Sequence, residues 1–297
     1  LKHIWPGRYR RLPAGGMAGR AAWSPARPAV LLLGDSLTQE GTASPAGPGG
    51  WAERLAALYS RRADVVNRGM SGYNTRWARR GLDYMWAPHR ATELATVWFG
   101  ANDAADAALN PRQHVSVDEF KRNLAEIVSR VQRRCDKVVV ISAPPIHEPS
   151  FRTLFVEPRA GKGAPIDRTL EASGRYAAAA GEVAASAGCA FLDLWAKVQA
   201  AAPSGGGDLP WGKFFYDGLH FSAEGHQLVF ESLVALIEER FPQLAVRKDP
   251  VTHKMDNSAA RCEGLPPHLP MHDEITLENQ ETILEGGGDS AKRVREA

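Results

Sequence analysis

Ser36 is the first residue whose type and position could do chemistry. It follows Val30-Leu31-Leu32-Leu33 directly, within Gly34-Asp35-Ser36-Leu37-Thr38. A serine hydroxyl is a weak nucleophile and needs a base within hydrogen-bond reach, itself held by an orienting group. Asp217 and His220 stand three apart far along the chain, so one turn can carry carboxylate and imidazole together. Asp217 would hold one ring nitrogen and leave the other to take the Ser36 proton. Acyl transfer also needs donors aimed at a developing oxyanion. Gly72 offers an unobstructed backbone N–H, Asn102 a side-chain amide, and Ser36 its own N–H. Each residue also has a plain structural role: Asp35 and Ser36 as a helix cap, Gly72 and Asn102 as turn residues, His220 as a packing group. Their joint occurrence, in this order, favours the chemical reading.

Such residues need elements to bring them together. The run 30–33 is short, aliphatic and bounded by Pro28 and Gly34, the pattern of a buried parallel strand. Further strands are expected at 64–67, 94–99, 137–142 and 190–194. Helices are expected at 51–62, 76–85, 117–134, 167–187 and, capped by Ser222, up to Phe241. The stretch 146–165 reads as a loop, as do 41–50 and 202–212. Strands alternating with helices imply an α/β protein with a parallel, doubly wound sheet of about five strands and right-handed crossovers. Ligands bind such sheets beyond the carboxyl ends of the strands. Four strand ends are therefore expected to deliver the reactive residues to one sheet edge.

The chain has 297 residues, with 44% hydrophobic and 24% charged residues, ordinary values for a globular protein. A net charge of +2 gives no field that would recruit nucleic acid or a membrane surface. No apolar stretch is long enough to span a bilayer. Cys135, Cys189 and Cys262 are odd in number and widely spaced, which fits reduced thiols and a cytoplasmic location. Residues 1–28 are basic and lack acids; they read as a disordered leader, with an organelle-targeting segment as the alternative. Residues 244–297 are polar and read as a disordered tail. His268 and His272 have the spacing of a metal pair but lack a third ligand, so no metal is assigned. The loop 41–50 lacks the Lys-Ser/Thr of a phosphate cradle, and Thr38 stands where an α/β-hydrolase elbow needs glycine.

Gly34-Asp35-Ser36-Leu37, then Gly72, then Gly100-Ala101-Asn102-Asp103, then Asp217-Gly218-Leu219-His220 resemble the four blocks of the GDSL, or SGNH, hydrolases. More narrowly, the chain is similar to the isoamyl acetate-hydrolysing esterase group. Asn67-Arg68-Gly69, Ser71 to Trp77, Asn110-Pro111 with Gln113-His114, Ala143-Pro144-Pro145 and Asp193-Leu194-Trp195 support this. The resemblance covers about 29–243 and implies a flavodoxin-like, three-layer α/β/α fold without metal or cofactor. It also implies Ser36, Gly72, Asn102 and His220 in the roles above. The expected activity is hydrolysis of small acyl esters through an acyl-enzyme, with a small-molecule ester as partner. Deacetylation of a carbohydrate or metabolite, lysophospholipid cleavage and thioester cleavage would use the same residues. A catalytically idle binding module is the alternative from another class.

Overall fold

The run 29–34 is apolar at nearly every position, so it is stable only as a strand covered on both faces. In the computed structural model it is β1 (Ala29–Gly34), buried along its whole length. The structure describes residues 27–42, 44–86, 91–202 and 209–246. After β1 come α1 (Ser36–Gln39), α2 (Trp51–Leu58), β2 (Asp64–Gly69), α3 (Thr75–Met85), β3 (Thr92–Trp98), α4 (Val117–Gln132) and β4 (Val138–Ile141). Then follow α5 (Glu148–Ser150), α6 (Glu157–Ala160), α7 (Leu170–Ser186), β5 (Ala190–Leu192), α8 (Leu194–Ala200) and α9 (Ala223–Arg240). A wider π-type turn, Phe151–Val156, joins α5 to α6.

The five strands are all parallel, in the order β2-β1-β3-β4-β5. This is the flavodoxin-like order, and it reverses at β1, where β2 lies on one side and β3 on the other. The crevice beyond the ends of β1 and β3 is therefore the place where the fold opens to a ligand. Side chains of β1 alternate between two cores. Val30 and Leu32 pack with Trp51, Leu55, Val229 and Leu233 from α2 and α9. Leu31 and Leu33 pack with Leu82, Leu124, Ile127 and Ala180 from α3, α4 and α7. Removing one such leucine side chain is expected to destabilise by about 2–5 kcal/mol.

Several boundaries differ from expectation for physical reasons. The helix at 51–62 stops at Leu58, because Arg61 turns the chain with a φ of 68°. The loop expected over 146–165 is largely helical. Pro149 sits in the first turn of α5, where the missing N–H has no partner to lose. The helix α8 lies in a stretch left without an expected element, and Asp193 caps it by accepting from the Ala196 N–H at 3.1 Å. The helix expected from 167 starts at Leu170, with Thr169 as its cap, so Asp167 and Arg168 lie before it. Nearly all of the leader and of the tail, Cys262 and the His268/His272 pair lie outside the described residues. Among those described, no helix is long and apolar enough to cross a membrane.

Candidate active site

Gly34 ends β1 and Asp35 begins the turn. The Asp35 carboxylate accepts from the Leu37 N–H at 2.9 Å and so caps α1. The capping reading of this tripeptide therefore holds, and it serves the chemistry, because it sets Ser36 at the first position of the helix. There the Ser36 N–H is one of the donors that a helix start leaves without an intrahelical acceptor. Asp35 is fully buried, and burial pushes its carboxyl up to about 7.

His220 reaches Ser36 from the other end of the chain. Its Nε2 lies 3.0 Å from Ser36 Oγ, and its Nδ1 lies 2.7 Å from Asp217 Oδ2. The second carboxylate oxygen of Asp217 accepts from the N–H groups of Leu219 and His220, at 2.9 and 2.8 Å. One turn thus fixes both side chains, as the spacing of three implies. Burial alone would lower the affinity of His220 for a proton. The hydrogen bond and charge of Asp217, with Glu40 and Asp35 behind them, outweigh it and raise the pKa. Burial would likewise raise Asp217, but the hydrogen bond to His220 and the backbone donors hold its carboxyl below the usual range.

The expectation of four strand ends needs correction. Ser36, Gly72 and Asn102 follow β1, β2 and β3, but Asp217 and His220 come from a loop before α9. That loop is gripped by the segment after β4. The His147 N–H donates to the Gly218 carbonyl at 2.9 Å, and Tyr216 N–H donates to the His220 carbonyl at 2.9 Å. Gly218 has a φ of 89°, and a Cβ there would stand 2.3 Å from Phe151 N and 2.6 Å from the His147 carbonyl oxygen. Only glycine fits both the backbone and the space.

Gly72 sits at the turn beyond β2 with a φ of 78°. Gln39 steadies this turn by accepting from the Ser71 N–H at 2.9 Å. Asn102 donates from Nδ2 to the Tyr73 carbonyl at 2.9 Å and lies 3.5 Å from Asp35 Oδ2. Both amide protons therefore have acceptors, and the one on the long 3.5 Å bond to Asp35 is the one an oxyanion would draw away.

Sequence reasoning gave no role to Arg168, Gln113 or Glu40. Arg168 is 5% exposed and donates to Ala101 O, to both oxygens of Asp167, to Gln113 Oε1 and to Asn102 Oδ1. Those contacts use all five donors of a guanidinium. Gln113 donates from Nε2 to Asn102 Oδ1 and to Gly72 O, both at 3.0 Å. It thereby ties two oxyanion candidates together. Its pairing with Asn110 in Asn-Pro-x-Gln was the available signal. Arg168 had none, because it was counted into a helix. Glu40 follows α1 directly and lies 4.0 Å from His220 Nε2 through Oε1.

The arrangement can deprotonate a hydroxyl, stabilise the resulting imidazolium and accept an oxyanion. The model of the GDSL-like lipase/acylhydrolase family matches residues 32–228. An isoamyl acetate-hydrolyzing esterase 1 homolog of Bos taurus is 37% identical over 224 residues, covering 73% of this chain and 84% of that protein. A GDSL esterase/lipase of Arabidopsis thaliana is also 37% identical, over 72% of this chain and 86% of its own. The crystal structure of a lipase/acylhydrolase from Enterococcus faecalis superposes with a TM-score of 0.53 at 23% identity, over 72% of this chain and 96% of that one. An acetylxylan esterase from Geobacillus stearothermophilus superposes with a TM-score of 0.53 at 19% identity, over 71% and 94%. The chain belongs to the GDSL-like lipase/acylhydrolase family of carboxylic ester hydrolases.

Proposed function

We propose that this chain hydrolyses small acyl esters, with acetyl and short acyl groups foremost, through a serine acyl-enzyme. The observation that carries the reading is the relay from Asp217 through His220 to Ser36, at 2.7 and 3.0 Å. His220 Nε2 takes the Ser36 proton as Oγ attacks the ester carbonyl. Asp217 keeps the ring in the tautomer with its proton on Nδ1 and stabilises the imidazolium that forms. The oxyanion meets the Ser36 and Gly72 N–H groups and the second amide proton of Asn102. His220 then gives its proton to the leaving alcohol. Water enters, loses a proton to His220 and releases the acid from Ser36. The names of the mammalian relatives support an acetate ester of a small alcohol as the starting substrate.

We further infer one hydrolase domain over 29–243, supported by the family match at 32–228. A cytoplasmic setting is supported by the odd number and wide spacing of the cysteines. The test is labelling with a fluorophosphonate, which should modify wild type at Ser36 and leave Ser36→Ala unmodified. A panel of esters with graded acyl length then separates short-chain esterase from lysophospholipase and thioesterase. Wild type that resists the probe and turns over no ester would be the idle binding module.

A further inference from the structure

Glu40 is an acid in the active site that the relay does not use. It sits at the end of α1, half-buried, with its side chain 17% exposed. Among the described residues, the side chain that donates a hydrogen bond to it is Tyr216, whose hydroxyl lies 3.2 Å from Oε2 and 3.4 Å from Oε1. The Tyr216 ring stacks on His220, with centroids 5.8 Å apart and planes 19° apart. A carboxylate has about four lone-pair positions. Tyr216 leaves most of them open, beside the ring that handles the proton. Desolvation of such a group is unfavourable unless a donor arrives.

Geometry states what that donor is. The leaving oxygen must come within about 3 Å of His220 Nε2 to collect its proton. Glu40 Oε1 is 4.0 Å from the same nitrogen. A hydroxyl on the carbon next to the ester-bearing carbon lies about 3 Å from the leaving oxygen when the two are gauche, so an alcohol turned toward Glu40 can bring it within hydrogen-bond reach of Oε1. A plain alkyl chain would instead press a methyl group against the carboxylate.

Resting on the esterase reading above, we propose that Glu40, braced by Tyr216, is an acceptor subsite for the leaving alcohol, selecting monoacyl esters of vicinal diols and polyols over esters of simple alkyl alcohols. The subsite acts on the alcohol half and leaves the acyl half to other walls. It accepts a hydrogen bond from a neutral hydroxyl, whereas a quaternary ammonium two carbons from the ester oxygen offers charge and no hydrogen to donate. The two therefore separate hydrogen bonding from charge at the same distance beyond the leaving oxygen.

The test compares 2-hydroxyethyl acetate with propyl acetate, which differ by a hydroxyl in place of a methyl. Acetylcholine serves as the cationic arm and nitrophenyl acetate as the reference. Wild type should favour 2-hydroxyethyl acetate by about tenfold or more in kcat/KM. Glu40→Leu should erase or invert that preference, and Glu40→Gln should reduce it to a few-fold, since a neutral acceptor bonds more weakly. A loss that only disturbed folding would lower both esters equally and leave the ratio intact. If acetylcholine alone is favoured, the subsite reads charge and the diol assignment is overturned. Equal turnover of the pair by wild type, or a preference that survives Glu40→Leu, overturns the subsite while nitrophenyl acetate hydrolysis keeps the esterase. Wild type inert toward nitrophenyl acetate and toward the fluorophosphonate removes both.

Discussion

Arg168 Nη2 lies 3.1 Å from Asn102 Oδ1, inside the protein. A guanidinium can only donate, so this contact fixes which end of the Asn102 amide faces it. The Oδ1 atom points to Arg168 and the NH2 group points toward Tyr73 and the crevice. Gln113 Nε2 also donates to Oδ1 and Arg168 holds Gln113 in turn, so removing the guanidinium loosens both donors that keep the amide from turning over. Asn102→Ala is therefore expected to lower kcat by roughly a hundredfold or more, with KM changed less. Arg168→Met should lower kcat by about tenfold or more, with partial recovery in Arg168→Lys, and should also lower stability by about 1–3 kcal/mol. Steady-state kinetics on nitrophenyl acetate and thermal melts check both. An Arg168→Met enzyme that loses stability but keeps kcat would assign the arginine to folding alone.

The pH dependence follows from the charges around His220. The relay needs a neutral imidazole, so activity falls as His220 takes up a proton. Asp217, Glu40 and Asp35 together raise its pKa above 6.5, against the effect of burial. The acid limb of kcat/KM should accordingly have its midpoint above 6.5. Glu40→Gln removes one of those negative charges, so the midpoint should move to lower pH. A profile that is flat between about pH 5 and 8 would remove His220 as the base.

Asp217→Asn keeps the shape of the turn and changes one proton. Its amide would donate to His220 Nδ1 in place of accepting, which places the remaining ring proton on Nε2, facing Ser36. The base is then absent although the side chains hold their places. A loss in kcat on the order of a thousandfold or more is expected, with the fold intact by circular dichroism. Retention of most activity would mean that another group orients the ring.

Gly218→Ala tests the backbone that carries the relay. The added Cβ would meet backbone at 2.3 Å and 2.6 Å and would force a φ of 89° on alanine. The turn must shift, and Asp217 and His220 shift with it. We expect a stability loss of about 1–3 kcal/mol and a drop in kcat of tenfold or more, read by melting and kinetics. Wild-type values in both would show that the turn has room to relax.

Strand content was legible because a strand buried on both faces has no polar residue to confuse its pattern, as Val30 to Leu33 illustrate. Caps were legible where a side chain can bond only its own neighbours, as with Ser222 and the Gly225 N–H at 3.2 Å. The segment 146–165 was misread because its α-helical pieces are only 3 and 4 residues long and are joined by a wider turn, so no helical period of apolar residues marks them. Arg168 was missed for a different reason: a charged residue next to a helix looks solvated until five acceptors close around it.

The order of elements, the nucleophile candidate and the Asp217–His220 pair are local properties. Residue type, hydrophobic period and a spacing of three determine them, so the amino-acid sequence alone determined that reading. What the tertiary structure decided is how residues far apart in the chain meet. It put Ser36 within 3.0 Å of His220, turned the amide of Asn102, and set Glu40 4.0 Å from His220 Nε2. Such distances depend on where the chain turns as it leaves β1 and β3 and on how the segment after β4 grips Gly218. Packing of whole elements sets these, and no short stretch of sequence encodes them.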